Sequence, residues 1–117
     1  MKREERDREQ LHTILRYCDR LDAARNTFED GYREFCTNTP YQDSCSLCLI
    51  QIGEAVNRLS AAFRTEHPAI PWHRIYGMRN HLVHGYEMFD AEIVWDAIET
   101  CIPPLRAFCE EKTHRHI

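Results

Sequence analysis

Glycine and proline are scarce in this chain, at 4 and 5 of its 117 residues. That is too little turn-forming sequence for a loop-rich all-β protein. No internal repeat and no low-complexity tract is visible, which argues against solenoid and fibrous architectures. The length suits one domain, and an apolar content of 43% is ordinary for a globular core. We therefore expect a single all-α domain over residues 1–117.

Long apolar runs are also lacking. No segment is apolar enough for a secretory signal or a membrane span, and the chain starts with the charged string Met-Lys-Arg-Glu-Glu-Arg. Six cysteines could form a disulfide framework in a secreted protein, but without a signal segment a reducing cytosol is the better expectation. The prediction is a cytoplasmic protein with no membrane partner.

An excess of positive charge is absent as well. The chain has 15 Lys+Arg against 19 Asp+Glu, a formal net charge of −4. The field of the whole molecule would repel nucleic acid rather than gather it. No DNA partner is expected, and any contact with RNA must be local.

Apolar residues recur at helical spacing along most of the chain. Asp90 is a plausible N-cap for the last helix, and Pro103-Pro104 should kink or split that helix. Residues 113–117 are expected to fray. The periodicity predicts helices over about residues 3–24, 28–36, 41–64 and 71–84, and a fifth that follows Asp90.

The fourth predicted helix carries an arginine inside its apolar stripe. At about 100° per residue, Arg79 lies near the middle of that face. A buried guanidinium that loses its partner costs about 3–5 kcal/mol, so Arg79 either forms a structural ion pair or faces a site that receives an anion. The other residues of the stripe are Trp72, Ile75, Tyr76, Leu82 and Val83.

The third predicted helix has two apolar faces. Glu54 and Asn57 lie on the second face, which places a carboxylate among apolar neighbours where an arginine could use it. One face can fill the core while the other meets a partner. The first face comprises Cys45, Cys48, Leu49, Ile52, Val56, Leu59 and Phe63, and the second Leu47, Ile50 and Ala61.

Polar residues cluster at the end of the fourth helix. Gly85 suits the left-handed position just past a helix end, which leaves Tyr86 outside the helix. His84 can move a proton near neutral pH, Arg79 can neutralise a phosphate, and Asn80 can orient either of them. These are the groups needed to cleave RNA without a metal, with the ribose 2′-hydroxyl as nucleophile.

A purely structural interpretation competes with this chemistry. Arg79 could pair with Glu54, and His84 could cap carbonyls at the helix end. On an ideal helix Arg79 and His84 point about 140° apart. They converge only if the last turn unwinds or if a twofold-related chain completes the site. Spacing alone slightly favours the structural interpretation.

Other candidate sites are weaker. A metal-dependent hydrolase would need His73, His81 and His84, with His67 nearby. On a helical wheel His81 lies away from the other two, and no carboxylate on this helix completes a ligand set, so zinc is not expected. Cys45-Ser-Leu-Cys48 has no second cysteine pair, and buried thiols are the better interpretation. The same interpretation applies to Cys18, Cys36, Cys101 and Cys109, and Trp72 and Trp95 are expected in the core.

The string Arg79…His84-Gly-Tyr86 resembles the R-x4-H-x-Y signature of HepT-type HEPN toxins. A lone R-x4-H is weak, but a series of linked blocks in order is specific. The resemblance covers roughly residues 10–108 and favours the catalytic interpretation. The further blocks are Ile52-Gly-Glu-Ala55, Leu59-Ser60, Ile70-Pro-Trp72, Gly77-Met-Arg-Asn80, Leu82-Val-His-Gly-Tyr86 and Ile93-Val-Trp95.

The resemblance implies a four- to five-helix bundle that forms a homodimer, with two arginine–histidine motifs facing a shared cleft. It implies a metal-independent endoribonuclease without cofactor, the toxin of a type VII-like toxin–antitoxin system. Arg79 and His84 become the catalytic pair and Asn80 a polar neighbour, while Tyr86 is adenylylated (AMPylation) by a nucleotidyltransferase antitoxin. As a hypothesis, Glu54 and Asn57 face the cleft and orient Arg79. The alternative is a non-catalytic helical dimer that binds and regulates a nucleotidyltransferase.

Overall fold

The computed structural model describes residues 2–29 and 31–114, which form seven α-helices and no strand. The prediction of an all-α bundle is therefore confirmed. The third predicted helix is divided in two, which was not expected, and the fifth is divided near its two prolines, as expected. The helices are α1 (Arg3–Thr27), α2 (Tyr32–Thr37), α3 (Thr39–Arg58), α4 (Ala61–Glu66), α5 (Trp72–His84), α6 (Ala91–Thr100) and α7 (Ile102–Thr113), with a 3-10 turn (Tyr86–Met88) before α6.

Helix α3 is the centre of the bundle. It packs against α1 on one side and α5 on the other, while α7 covers α1 and α6 joins α2 to α7. The first apolar face of the third predicted helix is buried as expected from Cys45 to Leu59, because helical spacing brings these residues to one side. Its last predicted member, Phe63, lies on α4 and is half-buried. None of the helices in the described ranges is long and apolar enough to cross a membrane.

The third predicted helix breaks at Leu59 and Ser60, which corrects the expected continuous helix over residues 41–64. Ser60 caps α4 by accepting a hydrogen bond from the Phe63 amide at 3.1 Å. The buried Asp7 carboxylate accepts from the Ser60 amide at 2.7 Å and from its hydroxyl at 2.8 Å. A carboxylate from α1 thus replaces the helical hydrogen bonds that the break removes.

Two other helix boundaries differ from the prediction. Helix α1 continues to Thr27, and Phe28 is its extended C-cap rather than the start of α2. The Phe28 ring stacks on Tyr41 at 5.1 Å, so tertiary packing holds it out of a helix. At the other end Thr113 is helical and buried instead of frayed, and the rest of the predicted frayed segment after His114 lies outside the described residues.

The boundaries of α6 and α7 agree with the capping residue and the prolines in the sequence. The Asp90 carboxylate accepts hydrogen bonds from the amides of Glu92 and Ile93 at 3.0 and 3.3 Å, which confirms it as the N-cap of α6. The expected split near the two prolines is also confirmed: the helix breaks at Cys101, and proline occupies the first turn of α7. Proline is tolerated there because the first amides of a helix have no internal partner.

The cysteines and tryptophans largely follow their predicted packing. All six cysteines are free, and five are buried. Cys36 is exposed, which corrects its expected burial, because it lies on the outer side of the short helix α2. Trp72 packs against Phe108 in the core, and Trp95 is half-buried against Phe35, with ring centroids 5.7 and 5.2 Å apart.

Candidate active site

The candidate site is built where α5 crosses α3. A Cβ atom placed on Gly53 of α3 would lie 2.4 Å from Cβ of Arg79 and 3.0 Å from its Cγ. Such contacts are far inside van der Waals range, so only glycine allows the two backbones to approach this closely. The crossing holds the stem of Arg79 against α3.

The charged end of Arg79 is held by neighbours on both helices. Its Nε donates to the Glu54 carboxylate, and its Nη1 donates to Oδ1 of Asn80 at 2.9 Å. The guanidinium also lies 5.7 Å from the centre of the Tyr76 ring. The predicted ion pair with Glu54 is thus confirmed, and Arg79 is 19% exposed rather than fully buried.

One nitrogen of this guanidinium remains uncommitted. Arg79 Nη2 has no hydrogen-bond partner among residues 2–29 and 31–114. A guanidinium whose Nε and Nη1 are held and whose Nη2 is unpaired keeps donors for an oxyanion. The structural ion pair and an anion-receiving role are therefore compatible in one side chain.

His84 lies on a different side of the same helix. Helix α5 is unbroken through His84, so the last turn does not unwind to bring His84 toward Arg79. The His84 side chain is exposed, and within the described part of the chain it makes no hydrogen bond, so the predicted capping role is not observed. Without unwinding of the last turn, only a second copy of the chain could bring Arg79 and His84 together.

Gly85 ends α5 in an ordinary conformation, which corrects the left-handed one predicted for it. Its φ is −128° and its ψ is 26°. Glycine fits for a different reason: its amide donates to the His81 carbonyl at 2.9 Å, and an added Cβ would lie 3.1 Å from that oxygen. Gly85 allows a close approach of backbone to backbone.

Tyr86 follows in the 3-10 turn, outside α5 as predicted, and is 40% exposed. Its hydroxyl donates to the carboxylate of Asp43 in the second turn of α3. Partial burial, and then this hydrogen bond, raise the pKa of the Tyr86 phenol above its ordinary value. Asp43 was not predicted, because no local pattern links residues 43 positions apart.

Two exposed apolar residues flank this site, Leu47 on α3 and Val83 on α5, and the side of the bundle that carries them is here called the α3–α5 face. Leu47 is 54% exposed and follows Asp43 by one helical turn, while Val83 is 42% exposed near the end of α5. Val83 was expected within the buried stripe, but it points about 100° away from the buried Leu82. Asn57, one turn after Glu54, is exposed and makes no side-chain hydrogen bond in the residues that the structure describes.

The predicted metal candidates are spread apart. His67 faces Phe63 and Phe108, with ring centroids 4.6 and 5.1 Å apart. His81 is half-buried, and His73 is exposed at the other end of α5. Among residues 2–29 and 31–114, no three histidine, cysteine or acidic side chains are arranged to bind a metal ion.

Comparison with known proteins connects this geometry to a family. A family model described as "Ribonuclease HepT-like" matches residues 14–111, from the middle of α1 to the last turns of α7. The chain belongs to the HepT-like family. The match includes Glu54, Arg79, His84 and Tyr86, so the candidate site lies within the HepT-like domain.

Individual HepT-like relatives cover most of the chain. It is 34% identical over 96 residues to "Putative RNase MJ0125" of Methanocaldococcus jannaschii, covering 82% of this chain and 81% of the relative. It is 33% identical over 103 residues to "Putative RNase TTE0752" of Caldanaerobacter subterraneus subsp. tengcongensis, covering 86% and 88%. "Probable ribonuclease HepT" of Thermococcus cleftensis is 29% identical over 100 residues, covering 81% and 91%. No solved structure matches this chain significantly.

Proposed function

We propose that this HepT-like protein is a metal-independent endoribonuclease, the toxin of a type VII-like toxin–antitoxin system. The observation that carries the proposal is the held guanidinium of Arg79, which pairs with Glu54 and still has donors on Nη2. The names of the relatives, which include ribonuclease and RNase, agree with it.

In this mechanism the ribose 2′-hydroxyl attacks the adjacent phosphate. A new O–P bond forms, the bond to the next nucleotide's 5′ oxygen breaks, and His84 assists the transfer of the proton. Arg79 neutralises the charge on the phosphorane, where positioned donors act most strongly. Asn80 keeps the guanidinium oriented through its 2.9 Å hydrogen bond with Nη1.

The catalytic unit is a homodimer in this proposal, because one chain alone keeps Arg79 and His84 on different sides of α5. The α3–α5 face supplies the apolar surface for the contact, with Glu54 and Asn57 facing the shared cleft. Leu47→Glu should convert the dimer to a monomer in light scattering. The matched control is Ile93→Glu, at another exposed apolar position on α6, and equal effects of both changes would reject this face.

Adenylylation of Tyr86 is the proposed off-switch. The phenol oxygen attacks the α-phosphorus of a nucleoside triphosphate held by a nucleotidyltransferase antitoxin, pyrophosphate leaves, and the phenol loses its proton. The added phosphate and base would then block the cleft and occupy the guanidinium. Exposure of Tyr86 beyond the helix end suits entry into a second enzyme's active site.

The test is cleavage of total RNA by the purified protein in EDTA. Arg79→Ala and His84→Ala should each lower the cleavage rate at least a hundredfold. His12→Ala, an exposed histidine on α1, is the matched control and should cleave like wild type. Cleavage that survives both site changes, or that needs added metal, rejects the mechanism.

The non-catalytic subunit is the second candidate, since the Glu54 ion pair gives Arg79 a structural use without chemistry. Expression without the nucleotidyltransferase separates the two. Growth arrest that Arg79→Ala abolishes supports the toxin, whereas harmless expression with tight binding of the nucleotidyltransferase supports the subunit. Intact mass after incubation with that partner and a nucleoside triphosphate, for wild type and Tyr86→Phe, tests the modification in either case.

A further inference from the structure

A groove of about 330 Å³ runs between α4 and the first half of α5. It is open to solvent, and its lining along α5 starts at Trp72 and ends at Tyr76, about one helical turn before Arg79. Its lining consists of Ala61, Arg64, Thr65, Trp72, His73 and Tyr76.

The charge of this groove differs from that of the protein. None of its lining residues is acidic, although the chain has a net charge of −4. The Arg64 guanidinium makes no hydrogen bond or ion pair within the described ranges, and His73 is exposed. By contrast, the groove between α5 and α6 has two carboxylates in its lining, Glu92 and Asp96, beside one guanidinium, that of Arg74. The α4–α5 groove is therefore locally positive on a chain that is acidic as a whole.

Its aromatic lining adds a second kind of contact. Tyr76 is half-buried, and its ring lies 5.7 Å from the guanidinium of Arg79. Trp72 is 8% exposed, and its Nε1 donates to the His67 carbonyl at 2.9 Å, so it forms a packed wall. Of the two rings, Tyr76 is the one exposed enough to stack on a planar ligand, on the part of the ring that the Arg79 guanidinium does not cover.

We propose that the α4–α5 groove binds one nucleotide of single-stranded RNA next to the phosphate that Arg79 contacts. Arg64 and His73 contact the backbone phosphate, and Tyr76 stacks on the base. Three residues of helix span about 4.5 Å, so a nucleotide on Tyr76 brings its neighbour's phosphate toward Arg79. This inference rests on the proposed ribonuclease function and names the part of the substrate that the groove holds.

An anionic peptide is the competing ligand, and the aromatic ring of Tyr76 favours a nucleotide over it. A carboxylate would use Arg64 and His73 but would leave Tyr76 without a planar partner, whereas a nucleotide uses Arg64, His73 and the ring. The two ligands also differ in the assay, because loss of base stacking in a Tyr76 variant weakens only the nucleotide.

The first experiment measures binding of a fluorescent 2′-O-methyl oligonucleotide of random sequence, which has no nucleophile for cleavage. Arg64→Glu should weaken binding at least tenfold and reduce the slope of log K against log salt by about one. Tyr76→Leu should weaken it about five- to tenfold, and Tyr76→Phe should bind like wild type. The matched control is Arg33→Glu, which makes the same change in net charge at an exposed position. Arg33 lies on α2, a helix that packs against α3 and α6 rather than against the groove.

Equal effects of Arg64→Glu and Arg33→Glu would overturn the groove as the binding site, as would Tyr76→Leu binding like wild type. Melting temperatures of all variants identify any that fail to fold, and Arg64→Ala replaces Arg64→Glu in that case. A glutamate-rich peptide that competes for the groove better than the oligonucleotide would also overturn the proposal.

The second experiment separates this inference from the proposed function. With a cleavable RNA, Arg64→Glu should raise KM with little change in kcat, whereas Arg79→Ala should abolish kcat. If the wild type cuts no RNA but Arg64→Glu still weakens oligonucleotide binding, the ribonuclease mechanism fails and the groove stands. If the wild type cuts RNA and Arg64→Glu leaves KM unchanged, the groove fails and the mechanism stands.

Discussion

The crossing of α3 and α5 at Gly53 gives the sharpest test of how this fold holds its site. Gly53→Ala adds a Cβ that would lie 2.4 Å from Cβ of Arg79. Each Cβ is bonded directly to a Cα of its helix and is not the end of a flexible side chain, so the helices must move apart. We expect Arg79 to shift by about 1 Å, a displacement that can cost about a hundredfold in rate.

Two terms of opposite sign set the stability of this variant. Replacing glycine by alanine inside a helix stabilises the protein by about 0.5–1 kcal/mol, and overpacking a core contact costs about 1–3 kcal/mol. Gly77 in α5 provides the matched control, because a Cβ there has no atom within 4 Å. Gly77→Ala should show only the stabilisation from replacing glycine, so the difference in unfolding free energy between the two variants isolates the overpacking cost.

The assay is urea unfolding of both variants, followed by RNA cleavage. Gly53→Ala should be about 1–3 kcal/mol less stable than Gly77→Ala and should cleave RNA at least tenfold more slowly. Gly77→Ala should be at least as stable as wild type and equally active. The reasoning is refuted if the two variants have equal unfolding free energies, since the close approach would then exert no constraint.

Three further predictions follow from single contacts. Asp7→Ala should lower the unfolding free energy by about 1–3 kcal/mol, because the two Ser60 donors lose their carboxylate; an unchanged urea midpoint would contradict this. Asp43→Asn should lower the pKa of Tyr86 in an NMR titration, because removal of the negative charge favours the phenolate; an unchanged or higher pKa would contradict it. In native protein a thiol reagent should modify Cys36 alone, against six cysteines after denaturation, and rapid reaction of several thiols would show that the other five are not buried.

Some contacts of the site could be predicted from local pattern. Glu54 and Arg79 each lie among apolar neighbours at helical spacing, and a charge in such a position needs an opposite charge. That requirement paired them correctly across 25 residues. The roles of Arg79, His84, Asn80 and Tyr86 in catalysis and modification remain predictions.

Other contacts carry no signal in the sequence. The hydrogen bond from Tyr86 to Asp43 depends on how α5 lies on α3, and the cap that Asp7 provides at Ser60 joins residues 53 positions apart. The groove between α4 and α5 exists only because Ser60 divides the third predicted helix. Apolar periodicity cannot predict a helix break when the carboxylate that stabilises the break comes from another helix.

The sequence by itself determined the all-α class, the approximate positions of most helices and the buried face of α3, because helix hydrogen bonds and apolar spacing are set within a few residues. Tertiary structure alone decided where the helices touch. The close approach at Gly53 places Arg79 against Glu54, and the unbroken α5 keeps His84 on another side. These relations depend on the packing of distant segments, and no local pattern encodes the distance between two helices.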